Sequence, residues 1–339
     1  MLFRSDLISG GRAGWNLVTT ANPAAARNFS FDAHPPKAAR YARAREFVDV
    51  VLGLWDSWDE DAFVRDQASG VFFDPGRMHT LAHAGEHFRV LGPLNVARSP
   101  QGRPVLVQAG ASEWGRQLAA ETAEVVFSAT PTIDEARAFY ADVKRRMPAA
   151  GRDPEELKLM PGIFVTVGRT ESEAREKRAM LQDLIHPDVG LGLLSKHVGL
   201  DLTEMDLDGP FPELPPDHDK KHLYRAQVVA DLAKREGLNL RQLAILFADG
   251  RGHFEVCGTA TQIVDVMEEW LRTGAADGFN VLPPVLPASL DDFVELVVPE
   301  LRRRGLVRDR YEGRTLRNHL GLAVPSFGHL RRGRGAAPA

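Results

Sequence analysis

The chain has 339 residues, 44% of them hydrophobic and 26% charged, which excludes a disordered or fibrous protein and allows a large core. A formal net charge of -4 provides no basic field for a nucleic-acid backbone. One cysteine excludes an intrachain disulfide framework, and no signal-like or bilayer-length apolar run is present, so the sequence predicts a cytoplasmic protein without nucleic-acid or membrane partners.

In chain order, the first predicted strand is AGWNLVT at 13–19, an apolar run carrying the pair Trp15 and Asn16. Tyr41, Ala44, Phe47, Val48, Val51 and Trp55 then recur on one helical face, predicting a helix over 37–55 with Trp55 and Trp58 packed at its end. Residues 57–103, rich in Gly, Pro and His, read as an excursion, and the alternation after Gly85 predicts a hairpin within it. Further strands are predicted at 104–110, 124–130, 160–168 and 278–284, their continuous apolar character implying burial on both faces. Thr132 with Glu135, Thr170 with Glu173 and Thr259 with Gln262 have capping-box spacing and mark helix starts. A second excursion runs from about 183 to 256, and the basic, small-residue end at 331–339 reads as a flexible tail. Strands alternating with helices predict an α/β protein with a parallel sheet, in one domain over 1–330.

Several stretches have the residue types of chemical sites. His79, His83 and His87 fall four apart and would share one face of a helix, but a hairpin scatters them, and no metal site is expected. Cys257 has no nucleophile motif around it and reads as an inert core thiol, and neither a P-loop nor a dinucleotide fingerprint follows a strand. LVQAGASEWG is more specific. A strand ends in the small residues Gly110 and Ala111, and a helix begins at Ser112 with Gly115 in place of the usual Glu or Gln at N3. Free N–H groups and a hydroxyl there suit a phosphate, although Glu113 adds negative charge; phosphate binding and plain capping both remain open. In PPKAARY, Lys37, Arg40 and Tyr41 would present two cations and a phenol to an anion, or form a solvated basic turn beside a core tyrosine. Asn16 has an equally plain reading as a satisfied core amide.

Taken together, SGGRAGWNLVTTANPAAARNF, RYARAREFVDVVLGLWDSWDEDA, GPLNVARSPQGRPVLVQAGASEWGRQLAAETAEVVFS and AADGFNVLPPVLP resemble the bacterial-luciferase-like flavin monooxygenases. The likeness is to the branch of nitrilotriacetate monooxygenase component A and dibenzothiophene-sulfone monooxygenase, over about residues 6–325. The resemblance implies a TIM-like (β/α)8 barrel that binds FMN at the C-terminal ends of its strands. It further implies reduced FMN supplied by a separate NAD(P)H-dependent reductase, and O2 as the source of one oxygen atom inserted into a small organic substrate of xenobiotic type. Tyr41 and Ser112 fall on FMN-contact positions near the phosphate, with Gly110 and Ala111 beside them. Lys37 stands where the family usually has histidine, so a point charge replaces a neutral imidazole. Asn16 is the candidate for a hydrogen bond to the flavin ring. No catalytic residue is assigned.

The family has strands and helices before SGGR that have no counterpart in this sequence, so an N-terminally incomplete barrel is expected, poorly soluble or self-associating through the exposed edge of its first strand. The alternative is a non-catalytic flavin-binding fragment of the same fold. The segment 183–256 corresponds to the family's insertion before the last strand, which covers the pocket and makes subunit contacts, and a homo-oligomer is expected.

Overall fold

Buried apolar runs followed by capped helices build a single parallel sheet with its helices against one face. A computed structural model describes residues 2–20, 22–215, 220–250 and 253–328. The strands are β1 (Gly14–Leu17), β2 (His83–Ala84), β3 (Arg89–Val90), β4 (Val105–Gln108), β5 (Val125–Ser128), β6 (Lys158–Val167), β7 (Phe254–Gly258) and β8 (Asn280–Leu282). The helices are α1 (Leu2–Ile8), α2 (Lys37–Trp55), α3 (Glu113–Thr122), α4 (Ile133–Arg146), α5 (Glu171–Asp183), α6 (Pro187–Val198), α7 (Lys220–Glu236), α8 (Leu240–Asp249), α9 (Ala260–Arg272), α10 (Ala288–Asp292), α11 (Val298–Arg303) and α12 (Leu316–Leu320). The order β1-β4-β5-β6-β7, with β8 also on β6, is parallel throughout, while β2 and β3 form a separate antiparallel ribbon.

Alternation along each strand decides which face meets the helices. Leu17 and Leu106 pack with Val48 and Leu52 of α2, Val126 and Leu159 with Ala119 of α3 and Val143 of α4, and Ile163, Val165 and Val167 with Ile263 and Met267 of α9. Asn16, Val107, Phe127, Met160, Gly162 and Phe164 therefore project from the opposite, inner face. At its N-terminal end this face is filled by Val105 and Val125 packed against Leu316, Leu320 and Leu322. There α12 also contributes a buried Arg317, which pairs with Glu124 at 2.6 Å. The C-terminal end of the inner face is left for a ligand, the usual arrangement of a TIM-like barrel. Truncating a buried Leu such as Leu118, fully enclosed under α2, is expected to cost about 2–5 kcal/mol.

Five strands and α2 lie where the sequence predicts them; β1, β4, β5 and β8 are trimmed at both ends, while β6 begins two residues earlier than predicted, at Lys158, and ends at Val167. The caps also form: Thr132, Thr170 and Thr259 accept from the backbone N–H three residues on, and Thr259 completes the reciprocal box with Gln262. The elements that were not predicted include α1 and β7. In α1, Phe3 stacks on Trp55 at 5.7 Å, and β7 pairs with residues 163–167 of β6. Between α5 and β7, helices α6 and α8 bury Leu191, Leu194, Leu240 and Leu243 in an apolar cluster of their own with Val229 of α7. Among the described residues β1 pairs only with β4 and β8 only with β6, so the strands form an arc of barrel wall. The predicted tail at 331–339 lies outside the described residues.

Candidate functional site

At the C-terminal ends of β1 and β4 a cavity of about 300 Å³ is lined by residues 17–20, by Lys37, Arg40 and Tyr41 of α2, and by residues 108–112. Two helices begin at its wall. The first, α2, starts after Pro36 without a side-chain cap and without an acidic residue in its first turn. The second, α3, is capped by Ser112, whose Oγ accepts from Gly115 N at 3.2 Å. Backbone N–H groups at a helix start attract anions through both their free hydrogens and the macrodipole.

The loop from β4 to α3 can be this tight because both of its ends are glycine. A Cβ on Gly115 would lie 2.7 Å from the carbonyl oxygen of Gly110, and Gly110 N donates to Gln108 Oε1 at 2.9 Å. Across the cavity Arg40 donates to the carbonyls of Thr19, at 3.1 Å, and Thr20, holding the end of β1 where Thr20 takes a φ of 35°. A non-glycine residue in that region stores strain, which concentrates at ligand-binding loops.

The polar inventory is unbalanced toward an anion. Arg40 Nε is buried with no hydrogen-bond partner, an orphan donor that a bound acceptor would satisfy. Among the described residues Lys37 has no carboxylate partner and the Tyr41 hydroxyl accepts or donates no hydrogen bond, although the residue is only 5% exposed and packs with Val48. Tyr41 is thus both the core residue and the pocket residue that the sequence left as alternatives. Glu113, the objection to an anion here, is drawn away by Arg146 of α4, which holds both of its carboxylate oxygens at 2.6 and 3.0 Å.

The cradle, its place at the strand ends and the parallel architecture can be set beside known proteins. Residues 5–277 match the family model described as luciferase-like monooxygenase. The chain belongs to that family. Nitrilotriacetate monooxygenase component A of Aminobacter aminovorans is 52% identical over 326 residues, covering 96% of this chain and 72% of the relative. Dibenzothiophene-sulfone monooxygenase of Rhodococcus erythropolis is 44% identical over 324 residues, covering 95% and 72%. A riboflavin lyase crystallised with modified FMN and riboflavin superposes with a TM-score of 0.78 at 33% identity, covering 95% of this chain and 71% of that one. This luciferase-like monooxygenase is by its family a flavin-dependent enzyme.

Of the residues singled out in the sequence, Lys37, Tyr41, Gly110, Ala111 and Ser112 are brought together in this one cavity of the luciferase-like chain. Asn16 is not among its lining residues. It stands exposed on the inner face of β1, opposite Val107, because strand alternation turns Trp15 and Leu17 toward α2. The histidines separate as a hairpin requires: His79 pairs with Asp59 at 3.0 Å and His83 with Glu46 at 2.9 Å, while His87 gives Glu46 its backbone N–H.

Sequence reasoning missed a second cavity, of about 350 Å³, between β6, β7, α5 and α8. There Arg178 pairs with Glu255 and lies 3.5 Å from Asp249. Burial, and then the Asp249 charge, push the Glu255 carboxyl above its ordinary range. Cys257 lines this cavity half-buried, its thiol pKa raised by burial. No local motif announces these residues, which the chain brings in from four elements. Among the described residues no helix is long and apolar enough to cross a membrane.

Proposed function

We propose that this luciferase-like monooxygenase is the oxygenase half of a two-component system, taking reduced FMN from a separate NAD(P)H-dependent flavin reductase and using O2 to oxygenate a small organic substrate of xenobiotic type. The observation that carries the reading is the cradle at β1 and β4: two helix starts, Lys37, the orphan Arg40 Nε and the free Tyr41 hydroxyl around one cavity. These residues fit a flavin phosphate. Arg40 and Lys37 would supply charge, Tyr41 and Ser112 hydroxyl donors, and Gly110 and Ala111 the close backbone. When bound, reduced flavin supplies the electrons that activate O2. Asn16, on the inner face below the cradle, is proposed to face the flavin ring.

The relatives support the remainder. The name "component A" of the Aminobacter protein implies a second component, and the riboflavin lyase carries a modified FMN. The cluster of α6, α7 and α8 is proposed as the single domain's insertion, covering the substrate and making contacts in a homo-oligomer.

The test is an FMN titration by flavin fluorescence, followed by reductase-coupled O2 consumption. Ser112→Ala is expected to weaken FMN binding by about 1–3 kcal/mol, the range for a hydrogen bond to a charged group. Because Ser112 also caps α3, the same variant should lose about 1 kcal/mol of stability. Arg40→Met should weaken FMN more than Ser112→Ala does. Unchanged FMN affinity in both variants, with only the stability loss of Ser112→Ala, would reduce Ser112 to a cap and refute the cradle.

A further inference from the structure

Beyond the cradle, the inner face of the sheet carries one polar side chain set into an aromatic wall. The imidazole of His253, the residue before β7, lies 5.2 Å from the ring of Phe127 on β5 and 6.0 Å from that of Phe164 on β6. It rests on Gly162, where a Cβ would stand 2.4 Å from His253 Nδ1 and 2.9 Å from Cε1. Glycine at 162 is therefore what admits the ring to the wall.

The strand register puts this wall midway along β6 and just ahead of β7, level with the residues that follow β1 and β4. Leu17, Gln108, Val126 and Leu159 lie on one rung, and Gly162 is three residues beyond it, as Thr20 is on β1 and Ala111 after β4. The wall and the cradle thus lie on one rung of the sheet. Across β6 stands Asn280, paired in register with Gly162, whose Nδ2 is already spent on Met160 O at 2.8 Å.

His253 Nδ1 is buried with no hydrogen-bond partner, and among the described residues Nε2 has none either, although it is not enclosed. A neutral imidazole has one N–H, and an orphaned buried N–H is rarer than an orphaned acceptor. The proton accordingly belongs on the open nitrogen. Burial lowers the pKa of His253, and no carboxylate pairs with it among the described residues, so it offers a hydrogen bond without a charge.

We propose that His253 is the specificity-determining residue of this monooxygenase, donating from Nε2 to a neutral acceptor oxygen on a substrate whose apolar or aromatic body lies along Phe127 and Phe164. The proposal deepens the reading of the proposed function, on which it rests. It selects ketones, esters, ethers and similar neutral oxygen compounds over carboxylates and over hydrocarbons of the same shape.

Three probes of one size separate these possibilities: acetophenone, ethylbenzene and benzoate, titrated calorimetrically into the protein with and without FMN. Wild type is expected to bind acetophenone about ten-fold more tightly than either other probe, the scale of one hydrogen bond in a dry site. His253→Leu should abolish the preference over ethylbenzene, and His253→Gln, which keeps an N–H at similar reach, should restore most of it. Gly162→Ala, which retains the imidazole but displaces it from the wall, should behave like His253→Leu. FMN affinity is expected to stay unchanged in all three variants. Failure of wild type to bind FMN would count against the proposed function, while the flavin-free titration still reads the wall. Equal binding of acetophenone and ethylbenzene by wild type, a preference for benzoate, no binding of any probe, or a preference that survives His253→Leu would each overturn the assignment.

Discussion

Two cavities of similar size, about 300 and 350 Å³, open at the C-terminal ends of the same sheet and are built on opposite electrostatic plans. The one at β1 and β4 is lined by Lys37 and Arg40 with no carboxylate, and Arg40 Nε is buried without a partner. The one at β6 and β7 holds a single cation, Arg178, already engaged by Glu255 and close to Asp249. A buried cation that keeps an unused donor favours an anion, because the anion repays desolvation that the fold has left uncompensated. A cation paired twice has no such deficit. On the proposed reading, the flavin phosphate therefore belongs in the first cavity and not in the second.

The change expected to break this distinction most severely is Gly115→Ala. The added Cβ would meet Gly110 O at 2.7 Å and Gly110 C at 2.8 Å, both backbone atoms that cannot rotate aside. Overpacking of this kind costs about 1–3 kcal/mol. Because the clash opens the loop that lines the cradle, FMN affinity should collapse along with the thermal midpoint, whereas the Arg178–Glu255 cavity keeps its geometry. A variant that folds with wild-type stability and FMN affinity would show that the close approach of Gly110 and Gly115 is dispensable.

The two cavities also differ in how far the sequence discloses them. The first is legible because its parts are local: a strand running into small residues at Gly110 and Ala111, a cap at Ser112, and a helix start at Lys37, each readable within a few residues. Asn16 is less legible by the same locality, since proximity in sequence to the strand end does not reveal which face the side chain takes; the register turns it to the inner face, outside the cavity lining. The second cavity escaped because FEVCG is short and mixes charged with apolar residues. It is a strand only through its pairing with residues 163–167, a tertiary choice that propensity does not carry. Likewise, nothing near His253 in the sequence signals Phe127 or Gly162.

A milder perturbation sharpens the contrast in charge. Lys37 is exposed and unpaired among the described residues, so its attraction for a phosphate is a screened one. Lys37→Met should weaken FMN binding about three- to ten-fold at low ionic strength, and the difference should shrink as salt rises. Arg178→Met, in the other cavity, should leave FMN affinity unchanged at every salt concentration. Equal affinities of Lys37→Met and wild type at low salt would place the lysine outside the cradle.

The smallest expected effect is in the second cavity and is read through pH. Burial and the neighbouring Asp249 raise the pKa of Glu255, against the opposing pull of Arg178 and the Gly250 N–H. The folded protein therefore holds this proton more tightly than the unfolded chain does. By linkage, the stability contributed by Glu255 is fully present below the ordinary carboxylate pKa and is lost as pH rises through the raised value. Glu255→Gln removes the titration while keeping the shape, so melting curves from pH 4 upward should show wild type losing stability relative to the variant. The absolute level also changes with loss of the Arg178 pair, so the slopes and not the levels decide. Parallel curves across that range would mean that Glu255 titrates normally, and with it would go the picture of a carboxylate pair sharing one guanidinium. A steeper fall in wild type would leave the second cavity resistant to further negative charge, and so a poor host for a phosphate at neutral pH.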